Sequence, residues 1–298
     1  MIELAGLTKT FPSGRGIRDI SLTVAEGEAV GFLGPNGAGK TTTIRHLLGF
    51  LRADAGKARI FSKDCFLNAA EIHGQVGYLP GEISLFPGMT AKGFLRLAAD
   101  LRGLRAEQSI RALAMRFELD LQQSIRKMSK GTKQKVAILA AFFHDPAVYI
   151  LDEPTSGLDP LMQHAFVELV QEERARGKTV FLSSHNFSEI DRICDRVAII
   201  KDGRLLRVDG SAELRAARFH QYRVEFADAV VAQAVATAPA TGMTVLRNEG
   251  SALILRVADV NAFLRAMSTH DVRALASEET QLEESFLAYY SHKEDAHE

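Results

Sequence analysis

The chain has 298 residues, of which 46% are hydrophobic and 24% are charged, and its formal net charge at pH 7 is −1. This length suits two domains, and the hydrophobic content is ordinary for a protein with a packed core. The near-zero net charge argues against nucleic acid as a partner, because proteins that bind phosphate backbones carry a basic excess. Residues 1–210 hold 28 Lys and Arg against 24 Asp and Glu, whereas residues 211–298 hold 8 against 13. The C-terminal part is therefore not expected to face phosphates.

No segment is predicted to span a membrane or to direct secretion. The longest apolar run, Val136–Phe143, has eight residues, far fewer than the roughly 20 that a spanning helix needs. The start, Met1 to Leu4, lacks the basic residues and apolar stretch of a signal peptide. We therefore expect a cytoplasmic protein that reaches a membrane only by docking on a partner. Cys65 and Cys194 have no metal-binding spacing and are expected to be packing residues.

Residues 2–24 are predicted to form antiparallel strands, because Ile20, Leu22 and Val24 alternate with polar residues. Phe11 lies at the edge of the turn between them. An aromatic ring there could stack on an adenine, and packing into the core fits its position equally well.

A glycine-rich loop follows the next predicted strand, Ala29–Leu33, and precedes a predicted helix over 42–48. The loop fits the G-x-x-x-x-G-K-[ST] pattern that cradles nucleotide phosphates, with Gly34, Pro35, Asn36, Gly37, Ala38, Gly39, Lys40 and Thr41 in the pattern and Thr42 directly after it. The order strand, loop, helix is the one this chemistry needs, which argues against a chance glycine-rich turn. Lys40 is expected to reach the β- and γ-phosphates, and the Thr41 hydroxyl to ligate Mg²⁺.

Short strands are predicted at 57–61 and 75–79, and the pattern from Thr90 to Asp145 predicts only helices. Thr90 is the expected N-cap. One apolar stripe is predicted from Phe94, Leu97, Ala98 and Leu101, and a second from Ile110, Leu113, Ala114 and Phe117. A further helix is predicted to begin near Ser129. Its polar, glycine-containing start can receive an anion, or it can be a simple helix cap.

Two consecutive carboxylates, Asp152 and Glu153, follow a predicted buried strand over Val148–Leu151. Ligands of open α/β sheets bind at the carboxyl ends of strands. We expect Asp152 to bind Mg²⁺ and Glu153 to orient or deprotonate a water, the alternative being a chance acidic turn. The next strand, Thr179–Ser183, leads to His185, which in isolation would be interpreted as a structural histidine.

Residues 197–208 are predicted to form a hairpin, with Asp202 and Gly203 as its turn. After Gly210, short alternating strands and two helices, Val230–Thr237 and Val260–Met267, indicate a small α+β domain. That domain contains no recognisable chemistry of its own.

In this order and spacing, the motifs of residues 2–210 resemble those of the nucleotide-binding subunit of an ABC transporter. Gly34–Thr41 matches the Walker A loop, Asp152 and Glu153 match Walker B with its catalytic glutamate, and Ser156–Asp159 match the D-loop. Phe11 stands at the adenine-stacking aromatic and His185 at the switch histidine. The signature motif, usually LSGGQ, would be Ser129, Lys130, Gly131 and Thr132 after Met128.

The resemblance implies an α/β fold: a P-loop ABC ATPase core over 1–210, with a RecA-like sheet, an antiparallel β subdomain and a helical subdomain near 88–146, followed by a small α+β accessory domain over 211–298. It implies ATP and Mg²⁺ as cofactors, with Lys40, Glu153 and His185 as the catalytic residues. It also implies a homodimer, or a heterodimer with a related subunit, in which the Ser129 loop of one subunit acts on the ATP of the other. The work would be done on a separate membrane-spanning permease.

Two features depart from the family pattern. Gly81 follows Leu79-Pro80 where the family usually has Gln, so that Gln is missing here, and neighbouring Glu82 is the alternative that the sequence offers for its role. The signature is degenerate, although Ser129 and Gly131 are kept.

The C-terminal part resembles the extension of bacterial drug, antibiotic and polysaccharide exporters, through Leu282–Phe286. The expected function is therefore ATP hydrolysis that powers export of drug-like or other hydrophobic compounds. The alternative is an ABC-type ATPase with a translational or regulatory role. The chain has a single cassette and no long heptad run, whereas ABC-type ATPases with such roles usually have two cassettes or long coiled coils, which argues against this alternative.

Overall fold

The computed structural model describes residues 1–210 and 220–278, and the chain divides into two compact units at Ser211 and Ala212. In chain order the elements of the first unit are β1 (Ile2–Thr10), β2 (Gly16–Val24), β3 (Ala29–Leu33), α1 (Lys40–Leu47), β4 (Ala55–Ile60), β5 (Lys63–Asp64), α2 (Ala69–His73), β6 (Val76–Leu79), α3 (Ala91–Leu101), α4 (Glu107–Arg116), α5 (Lys130–Phe142), β7 (Val148–Asp152), α6 (Pro160–Ala175), β8 (Thr179–Ser184), α7 (Phe187–Ile193), β9 (Arg196–Lys201) and β10 (Arg204–Gly210).

The central sheet of this unit has six strands in the order β10-β9-β3-β8-β7-β6. All neighbours in it are parallel except β10, which pairs antiparallel with β9. Every residue of β3, β7 and β8 is buried, as the continuous apolar sequences of β3 and β7 predict for a sheet covered on both faces. The carboxyl ends of these three strands therefore lie side by side at one edge.

A second sheet, in the order β2-β1-β4-β5, is antiparallel throughout. It confirms the predicted strands at the N-terminus. The two-residue strand β5 and the one-turn helix α2 were not predicted, because elements this short have no measurable period.

The hairpin of β9 and β10 is confirmed, with Lys201 opposite Arg204. Its turn residues Asp202 and Gly203 have φ angles of 48° and 77°, the left-handed pair that a two-residue hairpin turn requires.

The segment between β6 and β7 contains α3, α4 and α5, but the prediction of helix throughout is wrong for residues 117–129. Only a 3₁₀ turn, Ile125–Lys127, interrupts the irregular backbone there. Phe117, Leu119 and Ile125 are nevertheless buried, so the apolar residues continue through a segment that is not helical. Thr90 caps α3 as expected, since its side chain accepts a hydrogen bond from the Gly93 N–H.

The apolar stripe predicted on α3 is also wrong. The buried residues of that helix are Ala91, Leu95 and Ala99, whereas Leu101 is 79% exposed. The buried face is therefore formed by Leu95 between two small alanines, and Leu101 lies outside it. The stripe predicted on α4 is confirmed by buried Ile110, Ala114 and Phe117.

Both cysteines are buried and free. Burial raises the pKa of Cys65 to about 12, so this thiol stays protonated at neutral pH. Both residues act as packing residues, as expected.

The second unit contains β11 (His220–Phe226), α8 (Ala229–Thr237), β12 (Met243–Asn248), β13 (Ala252–Val257), α9 (Val260–Met267) and β14 (Val272–Glu278). Its antiparallel sheet has the order β12-β13-β11-β14. This is the βαββαβ arrangement of ferredoxin-like domains, a more specific architecture than the α+β class predicted. Leu282–Phe286 lies outside the described residues.

Within the described ranges, no helix is both long and apolar enough to cross a membrane.

Candidate nucleotide site

The predicted site residues other than the signature meet at or beside the carboxyl ends of β3, β7 and β8. In the sheet register, Leu33 of β3 lies opposite Ser184 of β8, and Asp152 of β7 lies opposite Ser183. The glycine-rich loop after β3 and the carboxylates at the end of β7 therefore flank the strand that leads to His185.

The loop turns into α1 through Gly39, the N-cap of that helix, which has a φ of 109°. A Cβ at this position would lie 2.6 Å from Cγ2 of Ile17. Both the left-handed backbone and the close approach require glycine. The turn directs the N-terminus of α1 towards the site, where its partial positive charge favours an anion.

Lys40 is the first residue of α1, and only 6% of its side chain is exposed. Its ammonium donates to the carbonyl oxygens of Gly34 at 2.5 Å and Pro35 at 3.3 Å. It also lies 3.2 Å from Oε1 of Glu153. The buried Lys40 ammonium is thus held in place by two carbonyl groups and one carboxylate, and its positive charge favours binding of an anionic ligand.

Thr41 and Asp152 supply the two oxygens expected to hold Mg²⁺. The Thr41 hydroxyl donates to Oδ2 of Asp152 at 2.9 Å, and the Ser183 hydroxyl donates to Oδ1. Among the described residues, no group of three or more His, Cys, Asp and Glu could form a metal cage. One hydroxyl and one carboxylate nevertheless fit Mg²⁺, which in nucleotide sites takes its other ligands from phosphates and water.

Glu153 occupies the left-handed region, with a φ of 48°, which is uncommon for a residue with a side chain. Its N–H donates to the Ser183 carbonyl at 3.0 Å, which fixes this conformation. Its Oε2 lies 2.6 Å from Nδ1 of His185. Both carboxylate oxygens of Glu153 thus face other predicted site residues, Lys40 on one side and His185 on the other.

A cavity of about 270 Å³ opens beside these groups. It is lined by Phe11, Arg15, Gly16, Pro35, Asn36, Gly37, Gly39, Lys40, Thr41, Thr42 and Glu153. The half-buried Phe11 ring therefore borders the loop, as a base-stacking aromatic should. Sequence reasoning missed Arg15, an exposed residue of the turn between β1 and β2. No sequence motif marks it, and its place beside the cavity is visible only in the folded protein.

The four residues of the degenerate signature lie elsewhere. Ser129 is the N-cap of α5, and its hydroxyl accepts a hydrogen bond from the Thr132 N–H at 3.1 Å. Within the described part of the chain these residues make no hydrogen bond to Lys40, Thr41 or Glu153. They border the loop that follows Glu153 instead.

Gly81 lies against the carboxylate of Asp152. A Cβ at Gly81 would be 3.3 Å from Oδ2 of Asp152, so this position faces the expected metal site although it has no side chain. Glu82 is exposed and, among the residues that the structure describes, forms no hydrogen bond or ion pair. Its side chain is not held in the site.

Sequence reasoning also missed Glu189 of α7, which is only 6% exposed. Its Oε2 accepts a hydrogen bond from the Ser184 hydroxyl at 2.8 Å, and the same hydroxyl accepts the Asn186 N–H at 2.9 Å. These two bonds bracket His185. Burial, together with the charge of Glu153, raises the pKa of Glu189 to about 7. No local pattern marks this residue, because its environment arises only from tertiary packing.

The sequence and fold of this chain are similar to those of known proteins. Residues 17–156 match the family model described as ABC transporter. A fluoroquinolones export ATP-binding protein of Mycobacterium tuberculosis is 31% identical over 297 residues, which cover 96% of this chain and 92% of that protein.

Two solved structures are similar. One is the ATP-binding subunit of an ABC transporter, with a TM-score of 0.67 and 33% identity over 72% of this chain and 92% of the other. The second is an ATP-binding cassette in a dimeric, post-hydrolysis state with ADP and Pi, with a TM-score of 0.64 over 71% of this chain and 99% of the other. At 24% identity, the second comparison shows the fold alone.

Replacing Glu189 by Gln is expected to stabilise the protein at pH 8 and to have little effect at pH 4.5. The folded-state pKa of about 7 lies above the ordinary value of 4.5. The protonated form therefore contributes stability that is complete below about pH 4.5 and is lost as the pH rises through 7. Gln stays neutral, so the gain at pH 8 should be of order 1–3 kcal/mol.

Urea unfolding of both proteins at the two pH values measures this difference. The exposed Glu26→Gln variant serves as the control and should change stability equally little at each pH. A Glu189→Gln effect that is the same at both pH values would contradict the assignment of a raised pKa.

Proposed function

The chain belongs to the ATP-binding subunits of ABC transporters, and from this premise we propose that it hydrolyses ATP at the site of Lys40, Asp152 and Glu153 to power a separate membrane permease. The observation that carries the proposal is the meeting of three kinds of group at one sheet edge. The glycine-rich loop assigned to the phosphates, the carboxylate assigned to the metal and the carboxylate assigned as the base converge there from β3 and β7.

Binding of the nucleotide would begin with the phosphates at the loop and at Lys40. The Lys40 ammonium now lies 3.2 Å from Glu153, so a phosphate that takes this cation competes with the carboxylate. Glu153 would then lose one partner and become available to a water. The contact between Lys40 and Glu153 thus supports a site in which substrate binding prepares the base.

Thr41 and Asp152 are the residues we assign to Mg²⁺. When bound, the ion would neutralise phosphate charge and polarise the bond that breaks. The Ser183 hydroxyl, which donates to Asp152, keeps one carboxylate oxygen fixed while the other faces Thr41.

Glu153 is the residue we assign as the base that orients or deprotonates the attacking water. His185 lies 2.6 Å from its second oxygen and would hold the carboxylate in one orientation. The hydrogen bond from Glu153 N–H to Ser183 fixes the backbone beneath it. Such positioning supplies most of the protein's contribution to phosphoryl transfer.

A second subunit would complete each site. Ser129 caps its own helix and makes no described contact with Lys40 or Thr41 of the same chain, so it would meet the γ-phosphate of a neighbour. The solved cassette with ADP and Pi, which shares this fold, is itself dimeric. In such a pair two ATP molecules would lie between the subunits, and their hydrolysis would allow the subunits to separate.

The helical segment offers a surface for the permease. Leu101 is 79% and Phe86 is 57% exposed, and the ring of Phe86 lies 6.1 Å from that of Phe94. Large apolar side chains exposed in this way favour a protein interface. With a permease bound there, the subunit would lie at the inner face of the cell membrane.

Export of drug-like or other hydrophobic compounds is the transport activity we propose. The similar mycobacterial protein is named for fluoroquinolone export and matches this chain over 96% of its length, the C-terminal part included. The substrate itself would be selected by the permease.

The Glu153→Gln variant tests the assigned base. Gln keeps the size and hydrogen bonding of the side chain but cannot accept the proton. Turnover should fall roughly 10²–10⁴-fold, while ATP still binds and an ATP-bound dimer accumulates. Steady-state hydrolysis, nucleotide binding and size-exclusion chromatography measure the three effects. Unchanged turnover in a folded variant would mean that another group activates the water.

The Ser129→Arg variant tests the shared site. Arginine would place bulk and charge where Ser129 should meet the neighbour's γ-phosphate, while the Lys40 loop of each chain stays intact. ATP should still bind to the monomer, but ATP-driven dimerisation and hydrolysis should disappear. Normal hydrolysis by this variant would contradict the shared site.

Mixing Ser129→Arg with Lys40→Ala sharpens this test. Each variant alone should be inactive, because each homodimer has two damaged sites. The mixed dimer has both defects in one site and leaves the other whole, so random pairing should restore hydrolysis to at most roughly a quarter of the wild-type rate. Restoration that does not depend on the mixing ratio would count against the dimer.

A further inference from the structure

Lys130 occupies a position where the family signature has glycine, and its side chain lies over a loop of its own chain. Its ammonium donates to the Ser156 hydroxyl at 3.0 Å. Its aliphatic stem passes over Gly157, where a Cβ would lie 3.2 Å from Cδ of Lys130. The cation is thus directed at the loop that follows Glu153.

Two further contacts attach the same loop to the start of α5. A Cβ at Gly131 would lie 2.5 Å from the Gly157 carbonyl oxygen, so the two backbones touch. The buried side chain of Gln134 donates to the Pro154 carbonyl at 2.6 Å. The start of α5 therefore contacts the loop at Pro154, Ser156 and Gly157.

The loop is continuous with the proposed base. The Ser156 N–H donates to the Glu153 carbonyl at 3.2 Å, and the Leu158 N–H donates to the Thr155 carbonyl at 3.0 Å. The start of α5 is thereby connected to the backbone of Glu153 through a few short contacts. Glu153 itself lies in the left-handed region, with a φ of 48°.

We propose that Lys130 is a positioning residue that acts within its own chain and couples the two ATP sites of the dimer. It links the helix start that meets the neighbour's nucleotide to the loop that sets Glu153 in its own site. This inference rests on the proposed function, since it requires ATP hydrolysis by a dimer. It assigns Lys130 a role that the glycine of the usual signature has no side chain to perform.

An alternative role for Lys130 is a direct one, in which its ammonium contacts the neighbour's γ-phosphate. The two roles differ in their dependence on Ser156. If Lys130 acts through Ser156, loss of either partner removes the same interaction. If Lys130 acts on the phosphate, Ser156 is irrelevant to its effect.

A double-mutant cycle separates the two roles. Lys130→Met keeps the stem and removes the ammonium, and Ser156→Ala removes the acceptor. Each should lower the maximal rate of ATP hydrolysis about 2- to 10-fold, the size expected for one hydrogen bond. The double variant should be no slower than the slower single variant.

Cooperativity supplies a readout that a merely structural contact would not change. The Hill coefficient for ATP should fall towards 1 in Lys130→Met and Ser156→Ala, while ATP affinity of the monomer stays at the wild-type value. Lys130→Arg, which retains a cationic donor, should recover part of the rate and of the cooperativity. Lys133→Met is the matched control: Lys133 lies in the same helical turn, and the described residues give its side chain no hydrogen bond or ion pair. It should leave both quantities unchanged.

Rate losses that multiply in the double variant would overturn the proposal and favour the phosphate contact. An unchanged Hill coefficient in Lys130→Met would also overturn it. If the wild-type protein hydrolyses no ATP, the proposed function itself fails. If the wild type hydrolyses ATP normally and Lys130→Met does so equally well, only the role of Lys130 fails.

Discussion

The site depends on two contacts that join the glycine-rich loop to the end of β7. The Thr41 hydroxyl meets Asp152 at 2.9 Å, and the Lys40 ammonium meets Glu153 at 3.2 Å. Both contacts pass across the end of β8, because β8 lies between β3 and β7 in the sheet. Opposite charges from distant parts of the chain are thus held together at an edge that the buried strands make rigid. An incoming magnesium nucleotide would replace these contacts with stronger ones.

The backbone of Glu153, the proposed base, is conformationally constrained. Glu153 adopts a left-handed φ of 48° immediately after a fully buried strand. Its N–H bond to Ser183, the ion pair with Lys40 and the contact with His185 determine its orientation from three directions. The loop that follows is fixed to α5 through Lys130 and Gln134. The proposed base is therefore connected to the helix start that would meet a second subunit.

Sequence reasoning succeeded where the signal is local. The strand, loop and helix around Lys40 follow one another in the chain, and the predicted strand ending at Asp152 is apolar throughout. It failed on α3, because periodicity detects an apolar face but not what covers it: the alanines pack inwards and Leu101 stays exposed. The raised pKa of Glu189 and the Lys130–Ser156 contact could not be predicted from the sequence for a different reason. Their properties arise from residues brought together by tertiary folding.

Thr41 and Asp152 are proposed to form the metal-binding part of the nucleotide site. The most direct test measures ATP affinity with and without Mg²⁺ in the wild type, in Asp152→Asn and in Thr41→Ser, which keeps the hydroxyl. Mg²⁺ should strengthen ATP binding to the wild type and to Thr41→Ser, but should have little effect on ATP binding to Asp152→Asn. An equal effect of Mg²⁺ on all three folded proteins would contradict this proposal.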